Sequence, residues 1–339
     1  MVHVLLTGGS GFIAAHILEQ LLEGGYQVTT TVRSEDKAQK IRDAHKDKAD
    51  RLNVVIVPDA AQKGAFVEAV KTPGLEYVLH TASPFHHNWK DGQKEIMEPA
   101  LNGTNGILEA IKEHAPGVKR VVVTSSFASI LDEDKLNDPH HVFSEKSWNP
   151  ITLDDFNKSR PTVYRLSKKY AEKAAWEFVE REQPNFDVAT VCPPLVLGPV
   201  VHHLATLDSI NTSNERIVAL VQGKWKSEIP PTGPVEFWVD VRDTARAHIL
   251  AIEKPDAGGK RLFTTAGHFS NRAILDIVRT NFPDLEDRIP PKDLKGGDGL
   301  PADQVCKYDN SETVKVLGIE WTGLESSMVE LVKSIKDKI

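Results

Sequence analysis

Short apolar runs rich in β-branched residues alternate along the chain with longer amphipathic stretches. The apolar runs are the candidate strands: His3–Leu6, Gln27–Val32, Asn53–Val57, Tyr77–His80, Arg120–Thr124, Asp187–Val191 and Leu262–Thr264. Between them, stretches such as Ile13–Glu23, Ile96–Glu113 and Tyr164–Arg181 carry apolar residues at helical spacing. Because parallel strands are joined through crossover helices, this alternation predicts an α/β fold, a doubly wound parallel sheet with helices on both faces.

The rhythm of the pattern changes after the sixth candidate strand, where prolines become frequent. They are Pro193, Pro194, Pro199, Pro230, Pro231 and Pro234. Farther on, the stretch 283–301 looks like a long surface loop. We therefore expect two interleaved domains, with residues 1–192 and 238–267 forming the sheet domain and residues 193–237 and 268–339 forming a smaller C-terminal α/β domain.

A glycine-rich turn follows the first candidate strand. Its sequence, Gly8-Gly9-Ser10-Gly11-Phe12-Ile13-Ala14, satisfies both Gly-x-Gly-x-x-Ala and Gly-x-x-Gly-x-x-Ala. In a strand–turn–helix context the glycines permit a tight turn and close approach of a pyrophosphate, which the helix N-terminus attracts. The turn therefore predicts a Rossmann-type dinucleotide site that includes Gly8, Ser10, Gly11, Phe12 and Ile13; the alternative is a turn with a structural role only.

Basic residues stand where the second candidate strand ends. NAD-binding proteins usually place an acid there for the ribose 2′-hydroxyl, whereas this chain has Arg33, with Lys37 one helical turn later. A guanidinium and an ammonium fit a 2′-phosphate better than a bare diol. The sequence thus favours NADP(H) over NAD(H), unless both side chains are merely solvated.

Two further strand ends belong to the same predicted site. Asp59 and Ala60 follow the third candidate strand and are expected beside the adenine. Thr81, Ala82 and Ser83 follow the fourth and are expected along the phosphates and ribose. Both predictions rest on position, since ligands of doubly wound sheets lie outside the carboxyl ends of the strands.

Candidate catalytic residues lie beyond the fifth strand. Tyr164 and Lys168 are four residues apart, so on a helix they share one face. An ammonium beside a phenol helps a tyrosine exchange a proton near neutral pH. The fifth strand ends in Thr124-Ser125-Ser126, whose hydroxyls could hydrogen-bond a substrate carbonyl or simply cap a helix.

Taken in order, these motifs resemble the extended short-chain dehydrogenase/reductase family. The resemblance is carried by Thr7–Ala14, His80-Thr81-Ala82-Ser83-Pro84-Phe85, Val123–Ser126, Tyr164-x-x-x-Lys168 and Val239-Asp240-Val241-Arg242-Asp243. Within the family the chain is similar to the dihydroflavonol-reductase-like branch, and there to fungal NADPH-dependent aldehyde and ketone reductases of the methylglyoxal (isovaleraldehyde) reductase type. The resemblance covers nearly the whole chain.

The resemblance implies carbonyl reduction. NADPH would deliver a hydride to a bound carbonyl, and Tyr164, its pKa lowered toward neutrality by Lys168 and the oxidised nicotinamide, would protonate the alkoxide. Lys168 would also bond the nicotinamide ribose, and Ser126 rather than Ser125 would hold the carbonyl oxygen. Thr124, Pro193 and Val196 would contact the cofactor.

The same resemblance places apolar side chains around the substrate. The candidates are Phe85, Phe127, Leu131, Val163, Val196 and Phe237. Each of them could equally be a core residue.

Three histidine doublets call for a separate prediction. They are His86-His87, His140-His141 and His202-His203. Adjacent residues on a regular element point in different directions and make a poor pair of ligands, so no metal site is expected. The first and third doublets follow segments that border the cleft in the related family, and either could contact a polar substrate.

The amino-acid composition limits the kinds of partner and compartment that are expected for the protein. The 339 residues are 40% hydrophobic and 26% charged, with a formal net charge of −7, which argues against a nucleic-acid partner. Two cysteines, Cys192 and Cys306, fit a reducing cytosol. With no secretory signal and no run of 18 apolar residues, a cytoplasmic protein without a membrane segment is expected.

The leading hypothesis is an NADPH-dependent reductase of small-molecule carbonyls, acting as a monomer or homodimer. A nucleotide-sugar epimerase or dehydratase would share the fold and the Ser–Tyr–Lys trio, but such enzymes usually retain NAD and prefer an acid where this chain has Arg33. A catalytically silent NADPH-sensing protein is the third possibility, although such proteins often lack the tyrosine or the lysine. The sequence identifies neither the substrate nor the enantiomer produced.

Overall fold

The structure is a computed structural model that describes residues 1–83 and 89–339. The strands are β1 (His3–Thr7), β2 (Gln27–Val32), β3 (Leu52–Ile56), β4 (Leu75–His80), β5 (Arg120–Thr124), β6 (Val142–Ser144), β7 (Asp187–Val191), β8 (Leu195–Leu197), β9 (Phe237–Asp240), β10 (Arg261–Leu262), β11 (Gly267–His268) and β12 (Lys307–Asp309). The α-helices are α1 (Phe12–Glu23), α2 (Glu35–Ala44), α3 (Val67–Val70), α4 (Glu98–His114), α5 (Arg160–Glu182), α6 (Glu215–Val221), α7 (Val241–Glu253), α8 (Asn271–Asn281), α9 (Ser311–Leu317) and α10 (Leu324–Ile335).

A large parallel sheet organises the described residues. Its seven strands run in the order β10-β7-β5-β4-β1-β2-β3, and every neighbouring pair is parallel. Since the strands point the same way, the ends of β1, β2, β4, β5 and β7 that lead into the predicted site residues all lie at one edge. The predicted fold class is confirmed.

Both faces of this sheet are covered. Val4 and Leu6 of β1 pack on one face with residues of α1 and α7, and Leu5 packs on the other face with residues of α4 and α5. These three residues of β1 are fully buried, because a central parallel strand is enclosed on both sides and alternate side chains point to opposite faces. The first strand could therefore be recognised as a continuous apolar run.

The C-terminal part adds a second layer of structure. Strands β8, β9 and β11 form a three-stranded sheet, and β12 pairs with β6. An apolar cluster joins side chains of α6, α8 and α10 with Leu197 and Trp238 of the small sheet. The division into two interleaved domains stays a prediction.

The structure differs from the sequence-based expectation in several strands. That expectation returned 238–267 to the large sheet, but within this stretch only β10 joins it, at Arg261–Leu262 rather than Leu262–Thr264, while β9 belongs to the small sheet. Strands β6, β8, β11 and β12 were missed because runs of two or three residues are too short to show a period. The stretch 283–301 is largely irregular, but Leu285 and Ile289 anchor it in the core. None of the described helices is both long and apolar enough to span a membrane.

A buried arginine ties strand β5 to its neighbours. Arg120 donates to both carboxylate oxygens of Asp187, at 2.5 and 2.9 Å, and to the carbonyl oxygens of Ala251, Lys254 and Pro255, at 2.7 to 2.9 Å. Its side chain is 9% exposed. Removing it would leave buried carbonyls without a partner, which costs more than losing a solvated contact.

We expect Arg120→Ala to lower the free energy of unfolding by about 2–4 kcal/mol, measured by urea denaturation. The adjacent Lys119→Ala is the matched control. Lys119 is 62% exposed and pairs with Glu76, so its loss should cost no more than about 1 kcal/mol. Equal effects of the two substitutions would contradict the role given to Arg120.

Candidate active site

The glycine turn after β1 is shaped by close contacts. Gly8 has φ +76°, in the region that favours glycine, and a Cβ there would come within 3.1 Å of the Ala82 backbone. A Cβ on Gly9 would lie 2.1 Å from the Thr30 hydroxyl oxygen. The Gly11 amide donates to the Gly8 carbonyl at 2.9 Å, and α1 begins at Phe12 with Gly11 as its N-cap. The turn therefore brings a helix N-terminus to the edge of the sheet, where an anion is favoured.

A cleft of about 340 Å³ opens in front of this turn. Predicted cofactor residues line it: Gly8, Ser10, Gly11, Arg33, Lys37, Asp59, Ala60, Thr81, Ala82 and Ser83. Sequence reasoning missed other lining residues: Thr31, Val32, Val57, Pro58, Ala61 and Pro99. Most of these are immediate neighbours of predicted residues at strand ends, so extending each predicted segment by two residues would have found them.

Two cations border the cleft at the end of β2. Arg33 is exposed and Lys37 is partly buried, and no ion pair engages either of them within residues 1–83 and 89–339. Burial lowers the pKa of Lys37, and the positive charges of Arg33 and Lys40 lower it further. A bound phosphate would relieve this repulsion, so the pair suits a dinucleotide with a 2′-phosphate.

The segment Thr81–Ser83 is held by a hydrogen-bond relay behind the cleft. The Thr7 hydroxyl oxygen accepts from the amides of Thr81 and Ala82, at 3.1 Å each, and lies 2.9 Å from Nδ1 of His80. Burial and the charge of Lys168 lower the pKa of His80 to about 3, so its ring is neutral and Nδ1 can accept the Thr7 proton. No sequence pattern singled out Thr7 or His80 for this role.

Other predicted cofactor residues meet beside the helix start. Phe12 and Ile13 pack against an apolar cluster that contains Val196 of β8. The carbonyl of Pro193 accepts from the Phe127 amide at 2.8 Å, which joins the Pro193 segment to the turn after β5. Phe12, Ile13 and Val196 are thus brought together beside the glycine turn, and Pro193 is brought to the turn after β5.

The phenol of Tyr164 meets the hydroxyl of Ser126. Burial raises the pKa of Tyr164, and a hydrogen bond with Ser126 offsets part of that rise. The expected lowering of this pKa is therefore not produced by the protein groups. Ser126 also accepts from the Ala128 amide at 3.1 Å, which fixes its side chain as the cap of a short 3-10 turn.

Lys168 is buried one helical turn from Tyr164. Its Nζ lies 3.4 Å from the carbonyl oxygen of Thr124. Burial lowers the pKa of Lys168 to about 8, and the negative charge of the nearby Glu172 carboxylate opposes that shift. The Thr124 hydroxyl, in turn, lies 2.7 Å from Nε2 of His248, whose pKa burial lowers to about 4. The pKa of Lys168 therefore lies near neutrality, whereas the His248 ring on the other side of Thr124 is neutral.

The two serines at the end of β5 point to different partners. Ser125 is 4% exposed, and its hydroxyl lies 2.5 Å from a carboxylate oxygen of Glu172. Ser126 is the one that meets Tyr164. The structure therefore favours Ser126 over Ser125 as the residue that could touch a carbonyl.

Predicted substrate contacts are mostly packed in the core. Phe127, Leu131 and Phe237 are 2%, 3% and 1% exposed and belong to one cluster, in which the rings of Phe127 and Phe237 lie 5.2 Å apart. For these three the structure favours the core interpretation. Val163 packs with Ile96 in a separate cluster, and Phe85 lies outside the described residues.

The histidine doublets form no metal site in the part of the chain that the structure describes, where no group of three or more ligating side chains occurs. His140 is exposed, and the ring of His141 lies 4.4 Å from that of Phe143. The ring of His202 lies 6.0 Å from that of Phe12, beside the glycine turn, and His203 is exposed. His86 and His87 lie outside the described residues.

Known proteins match the chain along its length. Residues 4–265 match the profile of the NAD dependent epimerase/dehydratase family. A ketoreductase of Aspergillus niger, azaE, is 43% identical over 339 residues, covering 99% of this chain and 98% of that protein. The putative NADPH-dependent methylglyoxal reductase GRP2 of Candida albicans is 41% identical over 337 residues, covering 98% of each. The crystal structure of Gre2 from Candida albicans in complex with NADPH superposes with a TM-score of 0.91 at 36% identity, covering 100% of this chain and 99% of that one.

The close packing at Gly9 can be tested by substitution. Gly9→Ala would drive a methyl group into Thr30, whose hydroxyl donates to the buried Leu6 carbonyl at 2.9 Å, so we expect it to lower the free energy of unfolding by about 1–3 kcal/mol. Gly106→Ala, in α4 with nothing within 4 Å of the added carbon, should be neutral or stabilising.

The double variant Gly9→Ala/Thr30→Ala tests whether the loss of stability in Gly9→Ala comes from the clash between the new methyl group and Thr30. Because Thr30→Ala removes the atom that the new methyl meets, the double variant should lose less stability than the sum of the two single variants. Strictly additive losses in urea unfolding would show that the contact does not limit residue 9.

Proposed function

Since the chain belongs to the NAD dependent epimerase/dehydratase family, we propose that it is an NADPH-dependent carbonyl reductase that converts aldehydes, ketones or α-dicarbonyls into alcohols. Relatives named as NADPH-dependent methylglyoxal reductase and ketoreductase, similar over the whole chain, support this function. The observation that carries it is the hydrogen bond between Ser126 and Tyr164, with the amine of Lys168 buried one helical turn away and 3.4 Å from the Thr124 carbonyl oxygen. The resemblance to fungal reductases is confirmed by these relatives.

NADP(H) is the cofactor, and the glycine turn and the cations that line the cleft suit it. The NADPH complex of the related Candida albicans protein and the NADPH-dependent name of another relative support this assignment. In this chain, Arg33 and Lys37 would bind the 2′-phosphate, and the amides of the glycine turn would face the pyrophosphate. When bound, the cofactor supplies the hydride that reduces the carbonyl carbon.

Tyr164 is the proton donor in the proposed reaction. As negative charge develops on the carbonyl oxygen, the phenol transfers its proton there and the alcohol forms. Ser126, hydrogen-bonded to Tyr164, would donate to the same oxygen, and a preorganised donor of this kind contributes about 2–4 kcal/mol to transition-state stabilisation.

Lys168 stabilises the phenolate that proton transfer leaves behind. With a pKa of about 8, its amine is mostly protonated at neutral pH. Because the protein groups alone leave the pKa of Tyr164 raised, this ammonium would act together with the positive charge of the oxidised nicotinamide. The same ammonium is available to the nicotinamide ribose.

No observation favours the alternative functions. A nucleotide-sugar epimerase would need basic residues free to bind a diphosphate, but Arg216 donates to Asn271 and Thr232, and Arg272 donates to the carbonyls of Gly296 and Leu294. A catalytically silent NADPH sensor would have no use for the retained trio of hydroxyl, phenol and amine.

The same proposal includes the substrate class, the oligomeric state, the cellular compartment and the roles of the two domains. We expect its partner to be a small-molecule carbonyl. We expect a monomer or homodimer in the cytosol, where the buried free thiols of Cys192 and Cys306 would stay reduced. Residues 1–192 and 238–267 would bind the cofactor, and residues 193–237 and 268–339 would shape the substrate side.

Tyr164→Phe should abolish carbonyl reduction while leaving NADPH affinity within a few-fold, because the phenol hydrogen is needed only for proton transfer. NADPH oxidation with a panel of aldehydes and α-dicarbonyls measures the first effect, and nucleotide fluorescence measures the second. Tyr170→Phe, on the same helix, is the matched control and should retain activity. Turnover by Tyr164→Phe would remove the assigned acid, and absence of turnover by the unaltered protein with any carbonyl would refute the function.

Arg33→Asp should shift the preference from NADPH toward NADH. The substitution replaces a cation that suits a 2′-phosphate with an acid that suits a 2′-hydroxyl and repels phosphate. The ratio of kcat/KM for the two cofactors is the measurement. Arg181→Asp carries the same charge change on an exposed part of α5 and should leave that ratio unaltered; a preference of the unaltered protein for NADH would contradict the assignment.

A further inference from the structure

A buried carboxylate lies on the same face of α5 as the candidate catalytic pair. Tyr164, Lys168 and Glu172 are spaced four residues apart, so their side chains stand on successive turns of one face. Glu172 is 1% exposed. A carboxylate this deeply buried must be paired and hydrogen-bonded to remain charged.

Glu172 receives those hydrogen bonds from several directions. One oxygen lies 2.5 Å from the hydroxyls of both Ser125 and Ser129. The other accepts from the Thr190 hydroxyl at 3.0 Å and from Arg261 Nε at 2.6 Å. Burial raises the pKa of Glu172, but the charge and hydrogen bond of Arg261 and the two serines outweigh it and hold that pKa below its usual value.

Arg261 completes the pairing from the edge strand β10. It donates to the backbone carbonyls of Glu145 and Ser147, at 2.9 and 2.5 Å, and its guanidinium lies 3.7 Å from the centre of the Trp148 ring. These contacts fix the guanidinium independently of Glu172. The carboxylate is therefore held against a rigid partner.

The serines bound by Glu172 flank the catalytic serine. Ser125 and Ser129 are the two ends of the turn that presents Ser126, and the Ser129 hydroxyl also lies 2.8 Å from the Ser126 carbonyl. This turn belongs to the end of β5, whereas Tyr164 and Lys168 belong to α5. Glu172 thus adds buried links between the two halves of the trio, beside the contacts of Tyr164 with Ser126 and of Lys168 with Thr124.

Building on the proposed function, we propose that Glu172 is a positioning residue of the carbonyl reductase. Its carboxylate ties the turn that carries Ser126 to the helix that carries Tyr164 and Lys168, and its negative charge faces the ammonium of Lys168 across one helical turn. If the ion pair of Glu172 with Arg261 were purely structural, Glu172 would hold the turn and the helix together but would have no effect on the charge of Lys168. The charge of Glu172 does oppose the loss of the Lys168 proton, so both roles have measurable consequences.

The first test uses hydrogen exchange and needs no turnover. Glu172→Gln replaces an acceptor by an amide that faces the hydroxyls of Ser125 and Ser129, so amides of residues 125–131 should exchange faster than in the unaltered protein. Amides of β1 should be unaffected. Glu177→Gln, an exposed position on the same helix, is the matched control and should leave the turn unaltered.

The second test is the pH profile of reduction. Without the facing anion, Lys168 should lose its proton at lower pH, so the alkaline limb of kcat should move down by about one pH unit or more. At neutral pH, kcat should fall by about tenfold to a hundredfold, with NADPH affinity within a few-fold. Glu177→Gln should reproduce the profile of the unaltered protein.

A second variant keeps the proposal testable if Glu172→Gln does not fold. Glu172→Gln/Arg261→Met removes both charges, so no unpaired guanidinium remains buried. It should loosen residues 125–131 similarly and still move the alkaline limb downward. An unmoved limb, or turn amides that exchange no faster than in Glu177→Gln, would overturn the proposal. Lack of carbonyl turnover by the unaltered protein would instead refute the proposed function, and the exchange result is obtained independently of it.

Discussion

The parallel direction of the strands is the constraint on which the rest of the site depends. Because β1, β2, β4, β5 and β7 all point the same way, the residues that come directly after each strand lie at one edge of the sheet. The glycine turn, the two cations after β2 and the serines after β5 are far apart in sequence but lie at this same edge. Helix α5 then lays its phenol and amine across the same edge. A sheet with mixed directions would scatter these groups over two ends.

Burying such polar groups requires that each has a partner, and the partners determine the charges. His80 and His248 are neutral because burial lowers the pKa of each, to about 3 and about 4. Lys168 keeps a pKa of about 8 in the same interior, since the charge of Glu172 opposes the effect of burial. The site therefore combines two neutral histidines with a lysine whose pKa lies near neutrality and a charged carboxylate one helical turn away. A buried lysine with a pKa this close to neutrality is typical of sites that transfer protons.

Much of the fold and the site could be predicted from local patterns. Each of three features can be recognised within a dozen residues of sequence. They are the strand–turn–helix pattern around Gly8–Ile13, the basic Arg33 where NAD-binding proteins have an acid, and the spacing of Tyr164 and Lys168. The relay between Thr7 and His80 and the contact between Glu172 and Arg261 join positions 73 and 89 residues apart, and no local pattern encodes them. The location of apolar residues could not be predicted for another reason. An aromatic side chain such as Phe127 suits a hydrophobic core and a substrate pocket equally well, and only the packing in the structure distinguishes the two. The strands of two or three residues were invisible because they are shorter than the period that reveals a strand.

The order of the strands in the large sheet has a consequence for how the protein is made. Strand β10 pairs with β7, although the whole of β8, α6, β9 and α7 lies between them in sequence. On the ribosome, a nascent chain that ends before residue 261 lacks the edge strand and Arg261, so Glu172 is left without its charged partner. The earlier strands can assemble as they emerge, but helix α5 gains its contact with Arg261 only after about three-quarters of the polypeptide has been synthesised. A chaperone that shields the exposed edge of β7 during this interval would protect the sheet from pairing with another chain.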